Sequence, residues 1–295
     1  MTVNAIARGD AAPRTRALYQ LALRQGRAAE KWHGRSVRGT WNPDPAISPA
    51  ELAEAIYGAE RSGLSTLIKR SDRSIVTRAP VLGRDALIKR YDLCGAADHL
   101  KYLARPSRGR RAWAASRTLA ELAIPTPAAL GLLEIYAGPL PVVSYFVQEF
   151  VTDAREARLW IKRHFSTQDT AFRAEFRTSL MNGVLHLYRN RVYHRDLKSR
   201  NMLLRSPTDP SNRAFLVVDL DAVRFGVAPN RRQIIRNLVQ LNGSLGSRVS
   251  DEDRIAFLEE LSTTYPWVTN ARTVDRIRDG TRRRLERERK RICGP

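Results

Sequence analysis

Cysteine is scarce in this chain: Cys94 and Cys293 are the only two among 295 residues. Their separation matches no zinc or redox spacing, so neither thiol is expected to be functional, and a reduced compartment fits. Long apolar runs are missing as well. No window approaches the roughly 18 consecutive apolar residues that a membrane-spanning helix needs. The opening stretch MTVNAIARGDAAPRTR has no apolar h-region of the kind a secretory signal carries. A cytoplasmic location is therefore the expectation. Internal repeats and low-complexity tracts are absent too. Acidic residues are in short supply: 51 Lys and Arg face 30 Asp and Glu, for a formal net charge of +21. A field of that sign recruits polyanions such as nucleic acid, anionic lipid, phosphorylated glycans or nucleotides. Composition does not choose among them, and a GC-rich genome that favours arginine codons accounts for the excess equally well.

What is present supports a packed core. Hydrophobic residues make up 43% of the chain, enough for one two-lobed domain or two closely packed ones. Residues 1–60 read as a basic N-terminal extension and linker. A helix is expected from about Thr15 to Lys31, where Leu18, Leu21, Ala22 and Leu23 cluster. The turn-rich stretch HGRSVRGTWNPDPAISP follows and reads as the linker. Ser48-Pro49-Ala50-Glu51 then has the form of a capped helix start with proline at the first helical position. Residues 61–151 form a nucleotide-binding small lobe in this reading. STLIKR, SIVTRAPVL and DALIKRY are three antiparallel strands separated by turn signals, a basic helix spans about 108–123, and AALGLLEIYA and LPVVSYFVQEFV are two more strands. Residues 152–295 form a larger, mainly helical catalytic lobe. Helices are expected at about 154–166, 169–190, 230–241, 251–264 and 271–291, with NMLLR and AFLVVDLD as a hairpin. The fold class is α+β.

The most specific signal is His194-Arg195-Asp196-Leu197-Lys198-Ser199-Arg200-Asn201. It fits the kinase catalytic-loop pattern H-R-D-L-x-x-x-N at every fixed position. The spacing has a chemical reason. An Asp must accept or orient the proton of an attacking hydroxyl, and an Asn five residues on must reach a metal that bridges nucleotide phosphates. Lys198 is placed to neutralise charge on a transferring phosphoryl group, while His194 and Arg195 brace the loop. Val217-Val218-Asp219-Leu220-Asp221 follows a strand-like run and takes the place of D-F-G, which makes Asp219 the second candidate metal ligand. Asp221 either assists it or pairs with an arginine. Oxygen donors of this kind suit Mg²⁺. Ala86-Leu87-Ile88-Lys89 resembles V-A-I-K, whose lysine holds the α- and β-phosphates; Thr66-Leu67-Ile68-Lys69 is its rival.

Two expected parts are missing. There is no G-x-G-x-x-G, only the turn Arg70-Ser71-Asp72-Arg73-Ser74, whose backbone N–H groups, hydroxyls and arginines could cover phosphates instead. The helix that should bring an acid to the lysine has none from Lys101 to Ala120, so Glu121 is the one candidate. The segment Gln148-Glu149-Phe150-Val151 is expected to hold an adenine through backbone groups, with Glu149 and Val151 as the binding residues.

YHRDLKSRNMLL, VVDLDAVRF, RNLVQLNGSL and DRIAFLEELS together resemble the bacterial lipopolysaccharide kinase family, the Kdo and core-heptose kinases, over roughly residues 64–265. The resemblance implies a two-lobed protein-kinase-like fold, Mg-ATP, and phosphorylation of a sugar hydroxyl on a glycolipid at the inner face of the cytoplasmic membrane. It assigns Asp196 as the catalytic Asp, Asn201 and Asp219 as metal ligands, and Lys89 as the phosphate-binding lysine. The missing helix acid departs from the family pattern. Only about ten residues separate Asp219 from the next expected helix at Arg231. Protein kinases place a longer loop and A-P-E there, so the short connection favours a glycolipid or small molecule over a peptide. A Ser/Thr protein kinase is the runner-up, and a pseudokinase or nucleic-acid-binding scaffold ranks behind it. The basic termini suit an anionic membrane surface, where each Lys or Arg gains about 1 kcal/mol. The alternative for 271–291 is a solvated helix with pairs such as Glu286 and Lys290.

Overall fold

The computed structural model describes residues 11–72, 74–93, 102, 105–209, 211–246 and 249–293. Cys94 lies outside them. The chain divides into two compact units. One comprises Thr15–Val151 together with Asp219–Ala222, and the other is built mainly of Thr152–Val218 and Val223–Pro295.

The first unit is a seven-stranded antiparallel sheet with a helix on each face. Its strands are β1 (Ala29–Trp32), β2 (Arg35–Trp41), β3 (Thr66–Ser71), β4 (Ser74–Val81), β5 (Arg84–Asp92), β6 (Ala129–Ala137) and β7 (Leu140–Glu149), in the spatial order β1-β2-β6-β7-β5-β4-β3. Alternation along the strands sorts side chains to the two faces. Ile88, Val147 and Leu133 point one way and form a core with Leu52 and Ile56 of helix α2 (Pro49–Arg61). Tyr91, Phe146 and Leu132 point the other way, against Ala112 and Trp113 of helix α3 (Arg108–Glu121). Each fully buried Leu or Ile contributes about 1.5–3 kcal/mol. Lys89 lies two residues before Tyr91 and opposite Phe146, which sends it to the α3 face. Helix α3 can lie close to the sheet because residue 109 is glycine: a Cβ there would stand 2.9 Å from the Cβ of Ser144.

Three expectations need correction. The stretch read as a linker contains β2, and β1 takes up the end of the expected Thr15–Lys31 helix. Val37 and Trp41 alternate inward, and β2 pairs with β6 at Val37↔Ile135 and Trp41↔Gly131. Helix α1 (Ala11–Leu23) stops well short of Lys31. Gly26, at φ +60°, turns the chain against the backbone of Gly39, and its hypothetical Cβ would lie 2.9 Å away. The small sheet therefore has seven strands instead of five. By contrast, the start of α2 is as expected, with Ser48 accepting from the Glu51 N–H, Glu51 accepting from the Ser48 N–H, and Pro49 at the first turn.

The second unit is mainly helical: α4 (Ala157–His164), α5 (Thr170–Arg189), α6 (Arg231–Leu245), α7 (Asp251–Ser262) and α8 (Ala271–Cys293). The expected helix at 154–166 begins instead as strand β8 (Ala154–Glu156), which joins the hairpin of β10 (Met202–Arg205) and β11 (Ala214–Val217). Strand β9 (Val192–His194) pairs with β12 (Val223–Phe225), and the expected catalytic loop leaves the end of β9. Ile277 and Thr281 of α8 are buried, and Asn242 of α6 donates to the Thr281 hydroxyl at 3.1 Å. Among the described residues, no helix is long and apolar enough to cross a membrane.

Candidate active site

The loop after β9 is held from within and from helix α6. The buried His194 ring accepts the Asp196 N–H at Nδ1 (3.2 Å), while its Nε2 lies 3.0 Å from the Val218 carbonyl. With Nδ1 accepting, Nε2 is the donor, so a neutral imidazole clamps the strand that leads to residue 219. The Lys198 ammonium lies 2.5 Å from Oδ2 of Asp196. The Asn201 amide donates to the Asp196 carbonyl at 2.9 Å and to Oδ2 at 3.2 Å. Asp196, Lys198 and Asn201 are thus brought together, and the Val218 N–H bonds to the Asn201 carbonyl at 3.0 Å.

Helix α6 supplies a polar brace. Asn237, Gln240 and Ser244 recur at i, i+3 and i+7, which puts them on one helical face. Asn237 donates to the His194 carbonyl (2.8 Å) and accepts from the Tyr188 hydroxyl (3.1 Å). Gln240 donates to the Arg195 carbonyl (2.9 Å) and accepts from the Leu197 N–H (3.1 Å). Ser244 exchanges two 2.8 Å bonds with Ser199. Most of the loop's buried backbone groups are therefore satisfied by side chains, as burial requires. In the sequence RNLVQLNGSL bears only on a family resemblance, which assigns no role to these residues. Polar side chains on the same face as Ile234, Leu238 and Leu241 were the available signal.

In the sheet unit, Lys89 forms an ion pair with Asp219. Burial by itself pulls the Lys89 ammonium down. The opposing pull of Tyr91, Asp219 and Asp221 more than offsets this, so its pKa is held above the ordinary lysine value. The partner expected from α3, Glu121, is not the one used: it lies exposed in the last turn of that helix. The acid comes from the turn at 219–222 instead. Asp219 itself is in the left-handed region at φ +64°. Asp221 pairs with Arg108 of α3, with Nε to Oδ2 at 2.7 Å. Lys69, the rival of Lys89, sits on β3, where every residue is exposed. At the end of β7, the Glu149 N–H donates to the Ala128 carbonyl (2.9 Å) and the Phe150 N–H to the Asp85 carbonyl (3.1 Å), while Val151 is buried.

Among the described residues, no three His, Cys, Asp or Glu side chains gather into a metal cluster. Taken separately, the amide oxygen of Asn201 in the helical unit and the carboxylate of Asp219 in the sheet unit are both oxygen donors. That all-oxygen chemistry fits a hard cation such as Mg²⁺. The Asp221 carboxylate is already taken up by Arg108.

Residues 96–261 match the model of the "Lipopolysaccharide kinase (Kdo/WaaP) family". No curated protein matches the sequence. Among solved structures, one described as "WaaP in complex with acyl carrier protein" superposes with a TM-score of 0.57 at 19% identity, covering 85% of this chain and 94% of that one. At that identity the likeness speaks for a shared kinase-like fold.

Proposed function

Because this chain belongs to the lipopolysaccharide kinase (Kdo/WaaP) family, and is therefore a kinase, we propose that it transfers the γ-phosphate of ATP to a sugar hydroxyl of lipopolysaccharide or a related glycolipid. The observation that carries this reading is the loop His194–Asn201, where Asp196, Lys198 and Asn201 are gathered within hydrogen-bonding distance. In the proposed reaction Asp196 orients the acceptor hydroxyl and takes its proton. Both side-chain bonds to Asp196 fall on Oδ2, so we assign Oδ1 to the acceptor. Lys198 offsets charge on the phosphoryl oxygens as the bond to the leaving phosphate breaks. Lys89 binds the α- and β-phosphates and exchanges its contact with Asp219 for them. Asn201 and Asp219 would hold Mg²⁺, which when bound supplies positive charge to the phosphates. Glu149 and Val151 are assigned to the adenine, through the Glu149 carbonyl and the Val151 N–H, because the N–H groups of Glu149 and Phe150 are already engaged. The turn Arg70–Ser74, of which Arg73 lies outside the described residues, is assigned to cover the phosphates in place of a glycine-rich loop.

We place the reaction at the inner face of the cytoplasmic membrane, where a glycolipid acceptor would be met from the nucleotide-containing side. The net charge of +21 supports peripheral attraction to anionic lipid. The test is product analysis. Incubation with Mg-ATP and a deacylated or intact lipopolysaccharide acceptor is expected to give a phosphate monoester on a sugar, detected by mass spectrometry. Phosphorylated protein together with an unmodified glycolipid would overturn the acceptor assignment.

A further inference from the structure

Helix α3 opens with Arg108, Arg110 and Arg111 among its first four residues and has no acid in its first turn. Positive charge there opposes the helix dipole, so the acids must come from elsewhere in the fold. Arg110 is met by Glu134 of β6 at 2.6 Å, and both side chains are almost wholly buried. Arg108 is met by Asp221, whose side chain is only 8% exposed. Arg111 Nε donates to the backbone carbonyl of that same Asp221 at 3.1 Å. One residue of the 219–222 turn is thus gripped by α3 through both its carboxylate and its backbone.

Two positions before Asp221 stands Asp219, in the left-handed region at φ +64°, which costs most L-residues energy but which Asp adopts more readily than most. The ring of Tyr91 completes the group. The Arg108 guanidinium lies 4.8 Å from its centroid and the Lys89 ammonium 5.3 Å. Two ion pairs, Lys89–Asp219 and Arg108–Asp221, therefore each place their cation over one buried aromatic side chain. This arrangement accounts for the missing helix acid. The strand lysine takes its acid from the turn, and the helix sends a cation to the next acid along.

We propose that Arg108, supported by Arg111, is a positioning residue for Asp219. The Arg108–Asp221 pair ties the first turn of α3 to the 219–222 turn and fixes the conformation in which Asp219 presents its carboxylate. The inference rests on the assignment of Asp219 as a metal ligand made above. It adds that α3 controls that ligand through an ion pair of reversed polarity.

The test uses the full chain with Mn²⁺ as a paramagnetic probe, titrated in the presence of ADP and followed by electron paramagnetic resonance, alongside turnover and thermal unfolding. Arg108→Ala is expected to weaken Mn²⁺ binding and turnover together by about 10- to 100-fold, the range for residues that orient a metal ligand. Asp221→Asn, which keeps the side-chain shape and removes its charge, carries the same expectation if Arg108→Ala does not fold. The double variant is expected to be no worse than the weaker single one. Arg117→Ala, on the same helix but bonded to Asn42, is expected to change neither readout. If both Arg108→Ala and Asp221→Asn lower only the unfolding temperature, while Asp219→Asn abolishes Mn²⁺ binding, the positioning role is wrong and the ligand assignment stands. If Asp219→Asn binds Mn²⁺ as the wild type does, the ligand assignment itself is wrong and the inference falls with it.

Discussion

Lys89 and Lys69 carry the same sequence signature, an apolar triplet followed by lysine, yet their surroundings differ. Lys89 faces α3 and an acid, while Lys69 is on an exposed edge strand. Lys89→Met is accordingly expected to raise KM for ATP by about 10- to 100-fold, the equivalent of losing one hydrogen bond to a charged group, and Lys69→Met to leave it unchanged in the same steady-state assay. Glu121→Ala is expected to shift stability by no more than about 0.5 kcal/mol, as for an ordinary surface position, with turnover unaffected; urea unfolding and the ATP assay check both. The choice between the lysines was legible from strand order, because Lys89 lies on the third strand-like run, just before the segment that leads to the basic helix, and Lys69 on the first. The partner was not, because the acid is 130 residues away along the chain, and no local pattern reports a contact of that separation.

Helix α6 holds the candidate catalytic loop through polar side chains on one of its faces. Asn237 is buried and bonded to the catalytic-loop backbone, to Tyr188 and to Gln240. Asn237→Leu removes those bonds and leaves the His194 carbonyl without that donor. We expect a loss of about 1–3 kcal/mol in chemical unfolding, the cost of an unsatisfied buried group, together with a fall in kcat. Ser48→Ala provides the contrast. It breaks the cap of α2 at a cost of about 1 kcal/mol and should leave kcat unchanged, because α2 packs on the sheet face opposite Lys89. The α6 brace was readable in outline from its apolar spacing, although the helix runs to Leu245 and not to the expected 241. Gly243 lies inside the helix, where a Cβ would come within 3.1 Å of the Arg284 side chain. Strands β1 and β2 were hidden for a different reason. The strand signal of Val37 and Trp41 is diluted by arginine and glycine and followed by three prolines, and only pairing with β6 makes it a strand.

For the molecule as a whole, the α+β class and most elements from residue 64 onward followed from hydrophobic period and turn chemistry, which act locally. The seven-strand count did not, since it depends on which distant edge a weak strand can join. Charge is the other property of the whole chain. The last helix is net basic and its surface arginines are exposed, with Arg278 and Arg282 paired to acids one turn earlier. The protein is expected to co-sediment with vesicles rich in phosphatidylglycerol and to be released as salt is raised through the range where the screening length falls to about 10 Å. Neutral vesicles should not retain it. The chemistry is tested most directly by transfer of the labelled γ-phosphate of ATP to a lipopolysaccharide acceptor, with wild-type protein and Asp196→Asn compared side by side. The wild type should label the acceptor, and the variant should be slower by about 10²- to 10⁴-fold, the share of rate owed to a positioned proton acceptor, while still binding nucleotide. Equal labelling by the two proteins would contradict the role of Asp196 as the carboxylate that receives the acceptor's proton.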